Sequence, residues 1–281
     1  MNWLTNFVRP KIRALVGNDV PDNLWEKCPK CEQMIFRKEL SANFYVCPHC
    51  DHHMKISVAD RISMLFGDGE FSKIPYYQCT SDPLKFKDTK RYSDRLRTAR
   101  ESCHENDAAV VGYGSIGGQK AVAVLFSFDF MGGSMGMDVG EAIIAGAEYA
   151  VAKGYSFLVI PCSGGARMQE GIFSLMQMPR TVAAVNKVKK AKLPYIVLLT
   201  NPTTGGVSAS FAMLGDMHIA EPGALIAFTG PRVIEATIHE KLPNGFQQSE
   251  YLMDHGMIDL VVHRKKLPET IAKILAILTH G

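Results

Sequence analysis

Three times between Ala121 and Asp216 the sequence passes from an apolar run, through a glycine-containing turn, into a helical pattern. The segments are "AVAVLFSFDFMGGSMGMDVGEAIIAGAEYAVAKG", "YSFLVIPCSGGARMQEGIFSLMQMPRTVAAVNKVKKAK" and "LPYIVLLTNPTTGGVSASFAMLGD". Strands that are apolar almost without interruption must be covered on both faces, and the intervening helices supply the cover. The pattern therefore predicts an α/β architecture around a parallel sheet. Just upstream, "AAVVGYGSIGGQKAVAVLFSFDF" alternates apolar runs with glycine turns and predicts a hairpin of buried strands. Downstream, "HIAEPGALIAFTGPRVIEATI" adds a strand and a helix, and "LPETIAKILAILTHG" closes the chain with a helix. The small residues Ala142, Ala145, Gly146, Ala147 and Ala150 allow close backbone packing, and make such helices the expected surface for a partner.

The N-terminal quarter follows a different rule. Four of the 7 cysteines fall in "CPKCEQMIFRKELSANFYVCPHC", as two Cys-x-x-Cys pairs 15 residues apart. That spacing is the signature of two knuckles sharing one zinc ion, and four thiolates complete a closed tetrahedral shell. Cys28, Cys31, Cys47 and Cys50 are thus the expected ligands of one structural zinc. Met34, Ile35 and Phe36, then Phe44, Tyr45 and Val46, are expected to form two short strands of the ribbon. A pair of disulfides or a redox dithiol is the alternative. The scattered Cys79, Cys103 and Cys162 give no disulfide framework, and a reducing compartment is expected. His49, His52 and His53 follow the shell and are expected to be solvated or to support it. The expected divisions are an N-terminal segment (1–24), the ribbon (25–56) and a larger domain (57–281). Within the first, Leu4, Phe7, Val8, Ile12 and Leu15 suggest an amphipathic segment, broken at Pro10, that docks on protein rather than membrane.

A net charge of +3 is too small to announce a nucleic-acid binder, and no apolar run reaches the ~20 residues that span a bilayer. With no secretory signal pattern either, a soluble cytoplasmic protein is expected. Charge does gather locally: from Ser81 to Arg100 there are seven Lys or Arg against three Asp. This stretch reads either as a solvated loop and helix or as an edge that meets an anion, with Lys85, Lys87 and Arg91 as candidates.

Familiar catalytic patterns are missing. There is no Gly-x-Ser-x-Gly elbow and no Gly-x-x-x-x-Gly-Lys-Ser/Thr loop, so direct ATP binding is not expected. His218, His239 and His255 stand apart without a nucleophile beside them and are expected to be structural. Backbone chemistry stands out instead. "SGGAR" and "TTGG" place tandem glycines between a buried strand and a helix, where N–H groups without intrahelical partners can face a developing oxyanion. Gly164, Gly165, Gly205 and Gly206 are the catalytic candidates. Arg167, near a helix start, either pairs with Glu170 or meets an anionic ligand.

The stretches "CPKC…CPHCDHH", "DPLKFKDTKRYSDRL", "SGGARMQEG", "NPTTGGVSASFAMLGD" and "AEPGALIAFTGPRVIE" together resemble the beta subunits of bacterial acetyl-coenzyme A carboxylase carboxyltransferase, over nearly the whole chain. The resemblance implies a crotonase-like ββα spiral fold carrying an N-terminal four-cysteine zinc ribbon. It implies transfer of a carboxyl group from carboxybiotin to acetyl-CoA, giving malonyl-CoA for fatty acid synthesis. It also implies an alpha subunit that completes the site, a biotin carboxyl carrier protein that supplies the biotin, and a separate biotin carboxylase. By likeness to the family's paired-glycine motif, Gly205 and Gly206 would present N–H groups to an enolate or to the ureido oxygen of biotin. A stand-alone crotonase-type acyl-CoA enzyme and a zinc-ribbon nucleic-acid binder are the competing readings. The first requires a Glu or Asp at the glycine turn, and the second has only nine Lys or Arg against seven Asp or Glu over residues 1–61.

Overall fold

The computed structural model describes residues 24–68, 70–79 and 81–280. The expected amphipathic N-terminal segment lies outside the described residues. The chain divides into two compact units, Met1–Lys55 and Ile56–Gly281.

In the small unit β1 (Trp25–Lys27) pairs antiparallel with β2 (Met34–Phe36), and α1 (Arg37–Ala42) follows directly. The second expected strand does not form. Phe44 and Tyr45 have positive φ (52° and 59°), which a strand ladder excludes, so this stretch is a turn closed by one bridge, Val46 to His53. His53, at that bridge, is buried, which leaves of its two expected roles the one beside the shell rather than in solvent. Cys28, Ile35, Leu40, Cys47 and Met54 make a minimal core.

The large unit begins with α2 (Val58–Phe66), whose first turn is capped by Ser57 Oγ accepting from the Asp60 N–H at 3.1 Å. Then come β3 (Ser72–Lys73), α3 (Tyr92–Cys103), β4 (Ala109–Ile116) and β5 (Gln119–Phe126). β4 and β5 form the expected hairpin, turning at Gly117 and Gly118, both with the positive φ that a two-residue turn needs. The repeating pattern follows as α4 (Met137–Lys153), β6 (Ser156–Ile160), α5 (Ile172–Leu175), α6 (Gln177–Lys190), β7 (Tyr195–Leu199), β8 (Thr203–Thr204), α7 (Gly205–Ser208) and β9 (Met217–Ala220). The chain ends with β10 (Ile226–Ala227), α8 (Pro231–Ile238), α9 (Ser249–Asp254), β11 (Leu260–Val261) and α10 (Leu267–His280).

Seven strands form one sheet in the order β11-β9-β7-β6-β5-β4-β3, parallel from β5 through β11, while β8 and β10 pair separately. Alternation along β5 explains why its sequence is apolar throughout. Val122 and Val124 join Val139, Ile143, Ala147 and Val185 on one face, and Ala121, Ala123 and Leu125 join Leu65, Phe66, Ile271 and Leu275 on the other. Each fully buried Leu, Ile, Val or Phe contributes about 1.5–3 kcal/mol relative to exposure.

Gly146 brings α4 onto the sheet, since a Cβ there would sit 3.0 Å from Phe157 and Val111. The small residues of α4 are therefore spent internally: Ala142, Ala147 and Ala150 are fully buried. The expectation that this helix face meets a partner is corrected. Exposed apolar side chains lie instead at Met168, Ile172, Leu175 and Met176, and at Phe228 and Val233.

One ionic cluster joins distant parts of the large unit. Glu221, just after β9, accepts from Arg61 of α2 at 2.7 Å and from Arg264, just before α10, at 2.8 and 2.6 Å. All three are buried. Removing the carboxylate takes a buried ionic partner from both cations, so Glu221→Ala is expected to cost about 3–5 kcal/mol. Urea unfolding of the variant measures this. A loss below about 1 kcal/mol, the scale of an exposed pair, would show that the cluster adds no stability.

Candidate functional site

The turns after β6 and β7 lie at the carboxyl ends of parallel strands, where open α/β sheets gather ligands. Three bonds stitch them together. Ser163 N–H donates to Pro202 O at 2.6 Å, Thr204 N–H to Ser163 O at 2.9 Å, and Thr204 Oγ1 to Ser163 O at 3.1 Å. The result is backbone on backbone: a Cβ at Gly165 would fall 3.3 Å from Gly205 Cα, and one at Gly205 would fall 3.0 Å from Gly165 Cα. Both residues also have positive φ (115° and 63°), so glycine is needed twice over.

All four expected glycines thus come together, but their N–H groups are not equivalent. Gly164 donates to Gly132 O at 3.0 Å, Gly165 to Ser163 Oγ at 3.0 Å and Gly205 to Phe228 O at 3.0 Å. Among the described residues Gly206 N–H has no partner. Of the expected oxyanion donors, Gly206 is the one left open, and Gly164, Gly165 and Gly205 shape the turn. Sequence reasoning missed two neighbours. Ala166 lines the adjoining cleft with an N–H that has no partner among the described residues, and Gly132 is seated against Gly164. The tandem glycines of "FMGGSMG" were the available signal for Gly132. Ala166 carries no sequence mark.

The cleft has a volume of about 870 Å³. Its walls are α3 (Lys90 at its approach, Asp94, Arg95, Thr98), the turn after β5 (Phe128 to Ser134) and the turn after β6 (Gly164, Ala166, Met168, Gln169). The basic segment therefore does border a ligand-sized space, although through Lys90 and Arg95. Arg95 is paired with Asp88 at 2.5 Å. Lys85, Lys87 and Arg91 are exposed on the loop leading into α3 and do not line the cleft.

Arg167 requires a correction. It is 1% exposed and spends all five donors inside the protein. Nη1 and Nη2 grip Asp107 at 2.8 and 2.6 Å, Nη1 also reaches Glu170 at 3.3 Å and Tyr92 Oη at 3.1 Å, and Nε and Nη2 donate to Ser134 Oγ and O at 3.1 and 2.8 Å. No donor remains for an incoming anion, so the expected substrate contact is replaced by an internal one. Burial pushes the Tyr92 phenol well above its usual range against the opposing pull of Arg167, which keeps it a donor to Glu170 at 2.5 Å. His218, its basicity lowered by burial, accepts from Gly215 N–H through Nε2 at 3.1 Å, and His255 stacks on Tyr251 at 4.0 Å.

In the small unit the four cysteine Sγ atoms lie within 4.8 Å of one another. Cys28 to Cys50 and Cys31 to Cys47 are 3.7 Å apart, far beyond the ~2.05 Å of a disulfide. Zn–S bonds of ~2.3 Å in a tetrahedron put the sulfurs ~3.8 Å apart, so the set fits zinc. Burial raises the Cys47 and Cys50 thiols, while the N–H groups of Cys31 and Lys30 outweigh it at Cys28, so the fit to zinc rests on the sulfur geometry.

Two family models match: "Carboxyl transferase domain" over residues 78–278, and "Acetyl-CoA carboxylase zinc finger domain" over residues 25–50. The acetyl-coenzyme A carboxylase carboxyl transferase subunit beta of Granulibacter bethesdensis is 56% identical over 282 residues, covering 100% of this chain and 92% of that protein. The Rhizobium leguminosarum protein of the same name is 54% identical, covering 99% and 93%. Among solved structures, transcarboxylase 12S with hydrolysed methylmalonyl-coenzyme A bound aligns with a TM-score of 0.63 and 29% identity. That alignment covers 79% of this chain and 41% of the transcarboxylase chain. A Pseudomonas malonate decarboxylase hetero-dimer shares the fold, with a TM-score of 0.61 at 20% identity, 79% of this chain and 86% of that one.

The contact at the glycine turns yields a stability test. Gly205→Ala forces a side chain into the left-handed region against backbone, and is expected to lose about 1–3 kcal/mol. A Cβ at Gly206 comes closest to the Met178 Sδ, at 3.1 Å, and otherwise makes ordinary contacts at 3.6 Å, so Gly206→Ala is expected to lose less. Paired thermal melts of the two variants measure the difference, and equal losses would contradict the close approach.

Proposed function

The chain belongs to the carboxyl transferase family, and we propose that it moves a carboxyl group from carboxybiotin to acetyl-CoA, giving malonyl-CoA, as the beta subunit of an acetyl-CoA carboxylase. The observation that carries this reading is the pair of glycine turns in backbone contact, with open N–H groups at Gly206 and Ala166 and a cleft of about 870 Å³ beside them. Carboxybiotin is a co-substrate here, supplying the carboxyl carbon and, once that is released, a basic ureido nitrogen for the acetyl proton. The chain's own task is then to bind, orient and stabilise charge. Gly206 N–H would donate to an oxyanion, and Ala166 N–H would serve the cleft side. One well-placed donor of this kind is worth ~3–4 kcal/mol of barrier. Lys90 and Arg95, with the exposed Lys85, Lys87 and Arg91 nearby, would draw the phosphates of coenzyme A toward the cleft. A stand-alone acyl-CoA hydratase or isomerase would need a carboxylate free at the glycine turn, and Glu170 is held under Arg167 instead.

The remaining proposals concern partners. A carboxyltransferase alpha subunit would close the opposite wall, and a biotin carrier protein would bring the biotin that a separate biotin carboxylase loads. The exposed Met168, Ile172, Leu175 and Phe228 flank the glycine turns, where such a wall would seat. Location in the cytoplasm fits seven cysteines of which none is in a disulfide, and no helix among the described residues is long and apolar enough to cross a membrane. The four cysteines would hold one structural zinc, which adds folding energy to a unit with few core residues.

Two measurements follow. Purified chain at micromolar concentration is expected to give no carboxyl transfer between malonyl-CoA and a biotin derivative until an alpha subunit is added; robust transfer by the chain alone contradicts the half-site reading. Elemental analysis is expected to find one zinc per chain, lost in the Cys28→Ser, Cys47→Ser double variant together with the ribbon's protection from proteolysis. Zinc retained in that variant would refute the ligand set.

A further inference from the structure

Resting on the carboxyl transferase reading above, we infer that Arg167 is a positioning residue that locks the turn after β6 to the turn after β5 and to α3, and so sets the geometry of the cleft without touching its contents. Tyr92, Asp107, Arg167 and Glu170 are 1%, 2%, 1% and 4% exposed, and none of them lines the cleft. The cluster nevertheless holds elements that do, Arg167 directly and Glu170 through Tyr92, while Asp107 anchors the guanidinium. Arg167 grips Ser134, a lining residue, through both its hydroxyl and its carbonyl. Glu170 Oε2 accepts the N–H of Met137, the first residue of α4, at 2.6 Å. Glu170 Oε1 accepts from Tyr92 at the start of α3, the helix that contributes Asp94, Arg95 and Thr98 to the opposite wall.

The main chain above the cluster is zipped in register. Met135 N–H donates to Gly165 O at 2.8 Å, Arg167 N–H to Met135 O at 3.0 Å, and Gly164 N–H to Gly132 O at 3.0 Å. The two turns also leave no slack: a Cβ at Gly136 would fall 2.5 Å from Glu170 Oε1 and 2.8 Å from Arg167 Nη1, and one at Gly133 would fall 1.9 Å from Cys162 O. Displacing the guanidinium therefore moves Ala166 and Gly164 relative to Gly132 and α3. A planar five-donor fork meets two carboxylates, a phenol, a hydroxyl and a carbonyl at once, and a lysine cannot.

The test uses the chain assembled with its alpha subunit, assayed for carboxyl transfer from malonyl-CoA to a biotin derivative, with amide hydrogen exchange on the same samples. Arg167→Lys keeps the charge and loses the fork. Tyr92→Phe removes one hydroxyl and preserves the core if the lysine variant fails to fold. Expected for Arg167→Lys is a fall in kcat of about 10- to 100-fold, with KM for malonyl-CoA within about threefold. Exchange should quicken in residues 127–137 and 163–171 while β6 and β7 keep their protection, and Tyr92→Phe should move both readouts the same way, less far. A loss carried by KM would mean a substrate contact, and uniform loosening of the whole unit would mean a merely structural role; either overturns the inference. If the parent assembly transfers no carboxyl group, the functional reading fails, and the exchange pattern alone still decides whether Arg167 locks the two turns.

Discussion

Contact between two glycine backbones, Gly165 on Gly205, is the constraint around which the large unit is arranged. Turns from neighbouring parallel strands come this close only if neither carries a side chain at the point of contact and if the strands beneath are held in register. The register comes from β6 and β7, buried on both faces. The stitching comes from Ser163, whose N–H, carbonyl and hydroxyl all reach the facing turn or its own. Once this contact is fixed, the N–H groups of Gly164, Gly165 and Gly205 are spent on neighbouring oxygens, and those of Gly206 and Ala166 are left over. The open donors are thus a by-product of packing, held in place by partners that a flexible loop would lack.

How far these features could be read from the sequence follows from how local they are. The strand–turn–helix repeats were legible because burial on both faces writes itself as unbroken apolar runs, and the β4–β5 turn because two positive-φ positions demand Gly117 and Gly118. The four cysteines were legible because ligand spacing is a local geometric requirement. The commitments of the glycine N–H groups were not, since the acceptors of Gly205 and Gly164 are Phe228 and Gly132, more than twenty residues away. Arg167 was legible only in part for the same reason: it does meet Glu170, its nearest carboxylate in sequence, but the bidentate partner is Asp107, 60 positions upstream. Phe44 and Tyr45 failed in another way, since β-prone side chains were placed in a turn by the knuckle that follows them.

Two buried ionic clusters among the described residues of the large unit answer different needs. Glu221 with Arg61 and Arg264 joins elements far apart in sequence and serves the stability of the unit. Asp107, Arg167 and Glu170 sit directly under the cleft. Burying such charges seldom adds net stability over well-packed apolar side chains. A charged cluster does add direction: a guanidinium satisfies its carboxylates and carbonyls only in one arrangement, whereas an apolar plug tolerates several.

That directional demand matters more here than in an enzyme with a side-chain base. A histidine or carboxylate that moves slightly can still find its proton, because its own rotamers adjust. A main-chain N–H has no rotamer, so its aim is the aim of the turn that carries it, and donors must lie within a few tenths of an ångström of the developing oxyanion to strengthen in the transition state. A site built from backbone donors must therefore place its rigidity below the surface, among residues that never meet substrate. The side chains best suited to that place are those whose hydrogen bonds fail together when the geometry slips, and a fully engaged buried arginine meets that condition.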